Sequence, residues 1–195
     1  GEGAYDAQRE AAALRYFSEA NRLLAADAHA ARRGLRLRVG GAVPLGPHLA
    51  VLQGLGALSS MASWLRREHA AAHAVGADAL SQDECAKLFA AAGKRGGDIA
   101  DAWAKVMSGT TPQLSRWLLR AAANPADWLN ARSRFARSLA AASAAGWAVG
   151  LVERSPRALL LDRARAEIVH VDASAIGGGG GVLGARAPPF RLTRE

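Results

Sequence analysis

From Asp6 to about Arg38 the apolar positions Leu14, Phe17, Leu23 and Leu24 recur near helical spacing, with Arg and Glu between them. This predicts one long amphipathic helix, broken before Arg32. Leu35 to Val43 then alternates apolar residues with Arg or Gly, and Pro44 and Pro47 stop any helix, so a short strand running into a linker is expected. Val51 to Leu58 is apolar around Gly54 and Gly56, and Ser59 or Ser60 is placed to cap a helix over Met61 to Ala74.

Ser81 with Glu84 forms a capping box that opens a short helix before Gly93 and Gly96-Gly97. Asp98 to Met107 reads as a further short helix. Thr110-Thr111-Pro112 opens Gln113 to Ala122, and Asn124-Pro125 opens a longer helix from Ala126 to about Gly150, each with Pro at the first helical position. Trp128, Phe135, Leu139 and Trp147 mark the buried face of the longer helix. Beyond it the period changes. An apolar run Ala158 to Leu161, a polar turn Asp162 to Ala166 and a second run Ile168 to Val171 make a β-hairpin pattern that ends on Asp172. The five glycines Gly177 to Gly181 read as a linker, because no helix pattern follows to complete a phosphate cradle.

The chain has 195 residues, half of them hydrophobic, enough for one sizeable core and room for a second small one. Net charge is +8, and nearly all the basic residues are Arg. No basic run is interleaved with aromatics as single-strand binding requires, so direct nucleic-acid contact is not expected. Cys85 is the single cysteine, which excludes an internal disulfide framework and fits a reducing compartment. No uncharged apolar stretch approaches the roughly 18 residues of a membrane span, and no membrane partner is expected. The start at Gly1 and the end just after a motif read as those of a fragment.

Several segments together resemble one family. Gly150-Leu151, Glu153, Arg154, Ser155 and Ala158, then His170 and Asp172 across the hairpin, stand where the phosphatidylinositol 3-kinase-related protein kinases read G-L-G-D-R-H-x-x-N and H-I-D-F-G. Gly1-Glu2 with Gln8-Arg9 is similar to G-E-D-L-R-Q-D-Q-R, and Ala42-Val43-Pro44-Leu45 is similar to the segment after the hinge. Pro189-Phe190-Arg191-Leu192-Thr193-Arg194 is the sharpest match, and Arg191 favours the protein-kinase branch. Trp103, Lys105, Met107, Ser108 and Gly109, with Asn124-Pro125-Ala126 through Arg137-Ser138-Leu139, most resemble the branch of the DNA-dependent protein kinase catalytic subunit.

The resemblance implies an α+β, mainly helical fold: the large (C-terminal) lobe of a PI3/PI4-kinase catalytic domain, with a short β-hairpin carrying the catalytic loop and the metal-binding Asp. Residues 1–38 then form the regulatory-helix region, 39–58 the hinge region and 59–150 the helical lobe. Residues 151–172 form the catalytic loop and hairpin, and 173–195 the activation-loop region. The glycine loop and nucleotide-gripping lysine are expected upstream of Gly1.

Phosphoryl transfer needs a group that orients the attacking hydroxyl and Mg²⁺ held by Asp and Asn across the phosphates of ATP. By resemblance Asp172 is the metal ligand, and Glu153 stands for the catalytic Asp with Arg154 beside it. Leu55, Leu160 and Val171 would wall the nucleotide slot. Three alternatives remain open at these positions: a strand-end turn for Asp172, a solvated pair for Glu153 and Arg154, and a core histidine at His170. Ser155 replaces a His and Ala158 replaces the metal-holding Asn, while Gly40 and Gly54 stand where the family places a hinge Tyr and Trp. Loss of such contacts, at about 1–2 kcal/mol each, predicts weak or absent ATP binding. The resemblance therefore implies a serine/threonine protein kinase of the DNA-damage-response, end-joining class, partial and weakened. A catalytically inactive scaffold that retains the fold is the alternative. Protein substrates, DNA-end-binding proteins engaged through regions outside this chain, and a nuclear location go with the kinase expectation.

Overall fold

The structure, a computed structural model, describes residues 6–56, 58–94, 98–151 and 155–171. Contacts group them into two compact units, one made of the described residues up to Met61 and from Ala122 onward, the other of Ala62–Ala121. Length alone had made one unit the simpler expectation.

The first unit begins with helix α1 (Ala7–Ala26), capped by Asp6, whose carboxylate accepts from the N–H groups of Gln8 and Arg9. The expected long helix breaks at Asp27, five residues earlier than Arg32. The Asp27 carboxylate accepts from His29 and Ala30 and so starts a new helix, α2 (Ala28–Arg33), which is closed by Gly34. The segment after Gly34 is extended but pairs with no strand until Ala42. The Asn21 side chain accounts for part of this: its Nδ2 donates to the Leu37 carbonyl at 2.8 Å and its Oδ1 accepts from the Leu37 N–H at 2.7 Å. A side-chain amide thus supplies what a neighbouring strand would have supplied.

Strand β1 (Ala42–Gly46) pairs antiparallel with β2 (Leu49–Leu52), Val43 opposite Val51, and the register slips between Pro44 and Gly46. Pro44 is tolerated because it lies beside that irregularity in a two-strand pair. Val43, Leu45, Leu49 and Val51 are each more than half exposed.

Helix α7 (Pro125–Ala148), capped by Asn124 with Pro125 in its first turn, carries Ala141 and Ala142 into the core with Phe17, Leu37 and Leu151. Phe135 is buried as expected, and Leu139 and Trp128 are half-buried, the Trp128 ring lying under Arg132 at 5.5 Å. Trp147 departs from the expectation and is about half exposed (51%). In the last turn the buried face is taken instead by Gly146, on which Leu151 packs closely. The helix ends in a Schellman motif, with Gly150 N–H donating to the Trp147 carbonyl and Leu151 N–H to the Gly146 carbonyl. Gly150 sits at φ 64°, where a Cβ is disfavoured.

Strands β4 (Leu159–Asp162) and β5 (Glu167–His170) form the expected hairpin, Leu160 opposite Val169. A short strand not legible in the sequence, β3 (Ser59–Ser60), joins its outer edge, so the two serines pair with Leu160 and Leu161 immediately before helix α3 (Met61–Ala74) begins. Ser138 locks α7 to β5: its Oγ donates to the Phe135 carbonyl and accepts from the Ile168 N–H, both at 2.9 Å. Ser138→Ala strands a buried N–H and is expected to cost about 1–3 kcal/mol, read as a lower urea midpoint with unchanged slope.

In the second unit α3 continues and is followed by α4 (Gln82–Lys94), α5 (Ile99–Gly109) and α6 (Gln113–Ala121). The predicted capping box is present: Ser81 N–H donates to Glu84 Oε2 at 2.7 Å, and Glu84 N–H to Ser81 Oγ at 3.3 Å. Trp64, nearly inaccessible, meets Trp117 edge-on with ring centroids 5.7 Å apart. The Gly109 carbonyl accepts from the Ala79 and Leu80 N–H groups, and a Cβ at Gly109 would lie 2.7 Å from the Leu80 side chain, so this approach requires glycine.

Candidate functional site

The first unit contains an apolar cavity of about 150 Å³. Its walls come from five places in the sequence, one of them Ala142 on helix α7. Helix α1 contributes Glu10, Leu14 and Phe17, the extended segment contributes Leu37 to Gly41, the end of β2 and its continuation contribute Leu52, Gln53 and Leu55, and β5 contributes Ile168 to His170 and then Val171. An apolar cavity of this size accepts a benzene-like ring. It fits a flat base better than a whole nucleotide.

Local bonding explains how the walls are held. Gln53 N–H donates to the Gly41 carbonyl at 2.8 Å, and Gln53 Oε1 accepts from the Gly41 N–H at 3.0 Å, which fixes the end of β2 against the extended segment. Arg38, only 17% exposed, donates from Nη1 to Asp162 Oδ2 and from Nη2 to the Leu55 carbonyl. Its Nη1 is also 3.8 Å from Glu167 Oε2. Burial disfavours the Asp162 carboxylate, but the bonds from Arg38 and from the Arg165 backbone and side chain outweigh it and hold its pKa below the usual range. Glu167 is held in addition by Arg36, 2.7 Å away.

Of the expected nucleotide-slot residues, Leu55 and Val171 are brought together on the cavity wall. Leu160 is not among the lining residues. It lies between Ser60 and Val169 in the three-stranded sheet, while Ile168 and Val169 on β5 reach the cavity. Gly40, where the resemblance places a tyrosine, does line the cavity, and His170 lies half-buried on the same wall. Ala158 is buried, and its carbonyl accepts from the Val171 N–H at 2.9 Å, so position 158 lies beside the strand that leads to Asp172. Ser155 is half-buried, its Oγ accepting from the Arg157 N–H. Glu153, Arg154 and Asp172 lie outside the described residues, as do Gly177 to Gly181 and the Pro189-to-Arg194 motif.

Two charged wall residues were not singled out from sequence. Glu10 is a buried acid in the first turn of α1, and the signal was its position four residues before Leu14 and seven before Phe17 on the same stripe. Arg38 alternates with Leu37 and Val39, a pattern that points an Arg to solvent. The Arg38 side chain is in fact mostly covered, whereas Arg36 two residues earlier is exposed.

The sequence profile of the family described as "Phosphatidylinositol 3- and 4-kinase" matches residues 3–195. The chain belongs to this family. Among its relatives, the serine/threonine-protein kinase TEL1 of Saccharomyces cerevisiae is 27% identical over 192 residues, covering 97% of this chain and 7% of that protein. The serine/threonine-protein kinase ATM of Arabidopsis thaliana is 28% identical over 196 residues, covering 97% of this chain and 5% of that protein. The solved "FAT and kinase domain of CtTel1" superposes with a TM-score of 0.80 at 24% identity, over 98% of this chain and 14% of that one. The chain therefore has the mainly helical α+β kinase fold and spans less than a tenth of the length of these curated relatives. These are TEL1 and ATM proteins, and they support the family without supporting the DNA-dependent protein kinase branch in particular.

Proposed function

We propose that this phosphatidylinositol 3- and 4-kinase family chain is the large-lobe part of an ATP-dependent serine/threonine protein kinase domain of the DNA-damage-response kind, with a weakened catalytic loop. The observation that carries it is the cavity, which has Leu55 on one wall and Val171, the residue before Asp172, on another. This supports an apolar slot for a base close in sequence to a carboxylate of the kind a hard cation prefers. The relatives that cover 97% of the chain are named serine/threonine-protein kinases, which supports a Ser or Thr hydroxyl on a protein as the acceptor.

In this reading Leu55 and Val171 sandwich the base, Asp172 is the metal ligand, Glu153 orients the acceptor hydroxyl and Arg154 flanks it. Mg²⁺, when bound, neutralises charge on the phosphates being transferred. The donor set fits it only in part, since Ala158 offers no oxygen where the family uses Asn. Glu153 reaches one methylene further than Asp, and a displacement of about 1 Å costs on the order of a hundredfold in rate. Partners in the full-length protein are protein substrates and, through other regions, DNA-end-binding proteins, with action in the nucleus. The narrower likeness to the DNA-dependent protein kinase rests on Trp103 through Gly109 and on Asn124 through Leu139, of which Gly109 has a packing reason of its own.

A second reading, an inactive scaffold, is favoured by Ser155 and Ala158 together. The cavity itself is tested by Val171→Phe in the full-length protein. Saturable ATP binding by the unmodified protein, weakened at least tenfold by V171F with the melting temperature little changed, is expected. Equal binding by both proteins would remove the cavity from the nucleotide site.

A further inference from the structure

Arg38 offers a planar fork of donors; one arm is engaged on the Leu55 wall of the cavity and the other on Asp162, at the turn end of the β4–β5 hairpin whose β5 strand lines the cavity, while Arg38's own segment forms another wall. The β1–β2 ladder carries pairing as far as Gln53, whose N–H reaches the Gly41 carbonyl. Two residues later, at Leu55, the ladder has ended and Arg38 Nη2 donates to the Leu55 carbonyl. The other arm, Nη1, donates to Asp162 at the end of β4. We propose that Arg38 is a positioning residue for the nucleotide base: it sets the separation between the Leu55 segment and the β4–β5 hairpin, so that Leu55 and Val171 face one flat ring.

The neighbouring bonds favour this over a purely stabilising ion pair. Asp162 also accepts from the N–H groups of Ala164 and Arg165 at 2.9 and 3.0 Å and from the Arg165 side chain at 3.3 Å. Glu167 is paired with Arg36. Both carboxylates therefore keep partners when Arg38 is lost, whereas the tie between Leu55 and the hairpin is broken. A lysine does not substitute, because a single ammonium on a flexible stem does not reproduce a fork fixed on two acceptors.

The proposal rests on the nucleotide reading of the cavity, and its test separates the two. ATP with Mg²⁺, and adenosine alone, are titrated into the full-length protein and its R38K and R38M/D162N variants, with melting temperatures recorded alongside. Asp162→Asn removes the buried charge that loses its Arg38 partner in R38M and keeps the turn acceptor. Melting near that of the unmodified protein is expected for both variants, with affinity lowered about tenfold for ATP and by the same factor for adenosine, the order of one charge-assisted bond. A loss seen with ATP and not with adenosine would assign Arg38 to the phosphates and overturn the proposal. So would unchanged affinity in R38M/D162N, which leaves the nucleotide reading standing. No saturable binding of either ligand by the unmodified protein overturns both.

Discussion

Changing Ser155 to His and Ala158 to Asn together, in the full-length protein, is expected to raise phosphoryl transfer from ATP to a Ser/Thr peptide by at least about a hundredfold. Removing one preorganised charge-stabilising group in an active site costs on the order of 10²–10³ in rate, so returning two such groups works in the opposite direction. The geometry supports position 158 for this role. Its carbonyl is bonded to the Val171 N–H, so the residue lies against the strand that runs into Asp172. An amide side chain there begins beside Val171, the residue before the proposed metal ligand, whereas the methyl group of Ala158 coordinates nothing. Ala158 is buried, so Asn introduces a polar group that needs a partner, and the double variant is expected to melt somewhat lower in the absence of Mg²⁺ and ATP. Steady-state rates with and without Mg²⁺ read the outcome. Turnover by the unmodified protein within the usual kinase range of about 1–100 s⁻¹ would show that the loop is not weakened. No gain in the double variant would favour the scaffold reading.

Asp78→Ala is expected to destabilise the Ala62–Ala121 unit by about 3–5 kcal/mol, the range for breaking a buried charged network at one partner. Asp78 is almost wholly buried and accepts from the Thr111 N–H at 2.7 Å, Thr111 Oγ1 at 2.6 Å and His69 Nδ1 at 2.7 Å. Its own carbonyl lies 3.1 Å from His73 Nδ1. This one side chain therefore joins α3 to the start of α6. Burial works against its ionised form, but the bonds from Thr111 and His69 prevail and its pKa lies below the ordinary carboxylate value. The sign of the pH dependence follows. A carboxyl depressed in the folded state contributes stability that is present above the unfolded-state pKa, near 3.9, and is lost as pH falls through the lower folded value. Hydrogen exchange of α3 to α6 reads the unit by itself. Protection is expected to fall on acidification in the unmodified protein, and the dependence is expected to flatten in Asp78→Asn. An Asp78→Ala protein with unchanged protection in these helices would contradict the account.

Both predictions turn on residues of different legibility. Asp78 gave no sequence signal, because nothing local distinguishes a turn aspartate facing water from one folded onto Thr111, thirty-three positions away. Ser81 and Glu84 were legible because the cap closes within three residues. The hairpin at Leu159–His170 was legible for the same reason of short range, and its third strand, Ser59–Ser60, was not. Trp147 shows the limit of reading helical aromatics as core: it shares α7 with Phe135, but the buried Gly146 beneath Leu151 took the inward place. Leu160 shows another limit, since an apolar strand covered on both faces does not reveal which side chains reach the cavity.

The sequence by itself determined the family, the mainly helical class, the caps of α4 and α7 and the hairpin, because motif identity, periodicity and capping chemistry are local properties. The tertiary structure alone decided which of the apolar candidates share a wall, that Glu10 and Arg38 stand with Leu55 and Val171 around one cavity, and that Asp78 holds the second unit. Those facts depend on pairs distant in sequence, from Asp78 with Thr111, 33 residues apart, to Arg38 with Asp162, 124 residues apart. Burial energy selects such pairs only once the chain is folded, and no spacing along the sequence encodes them.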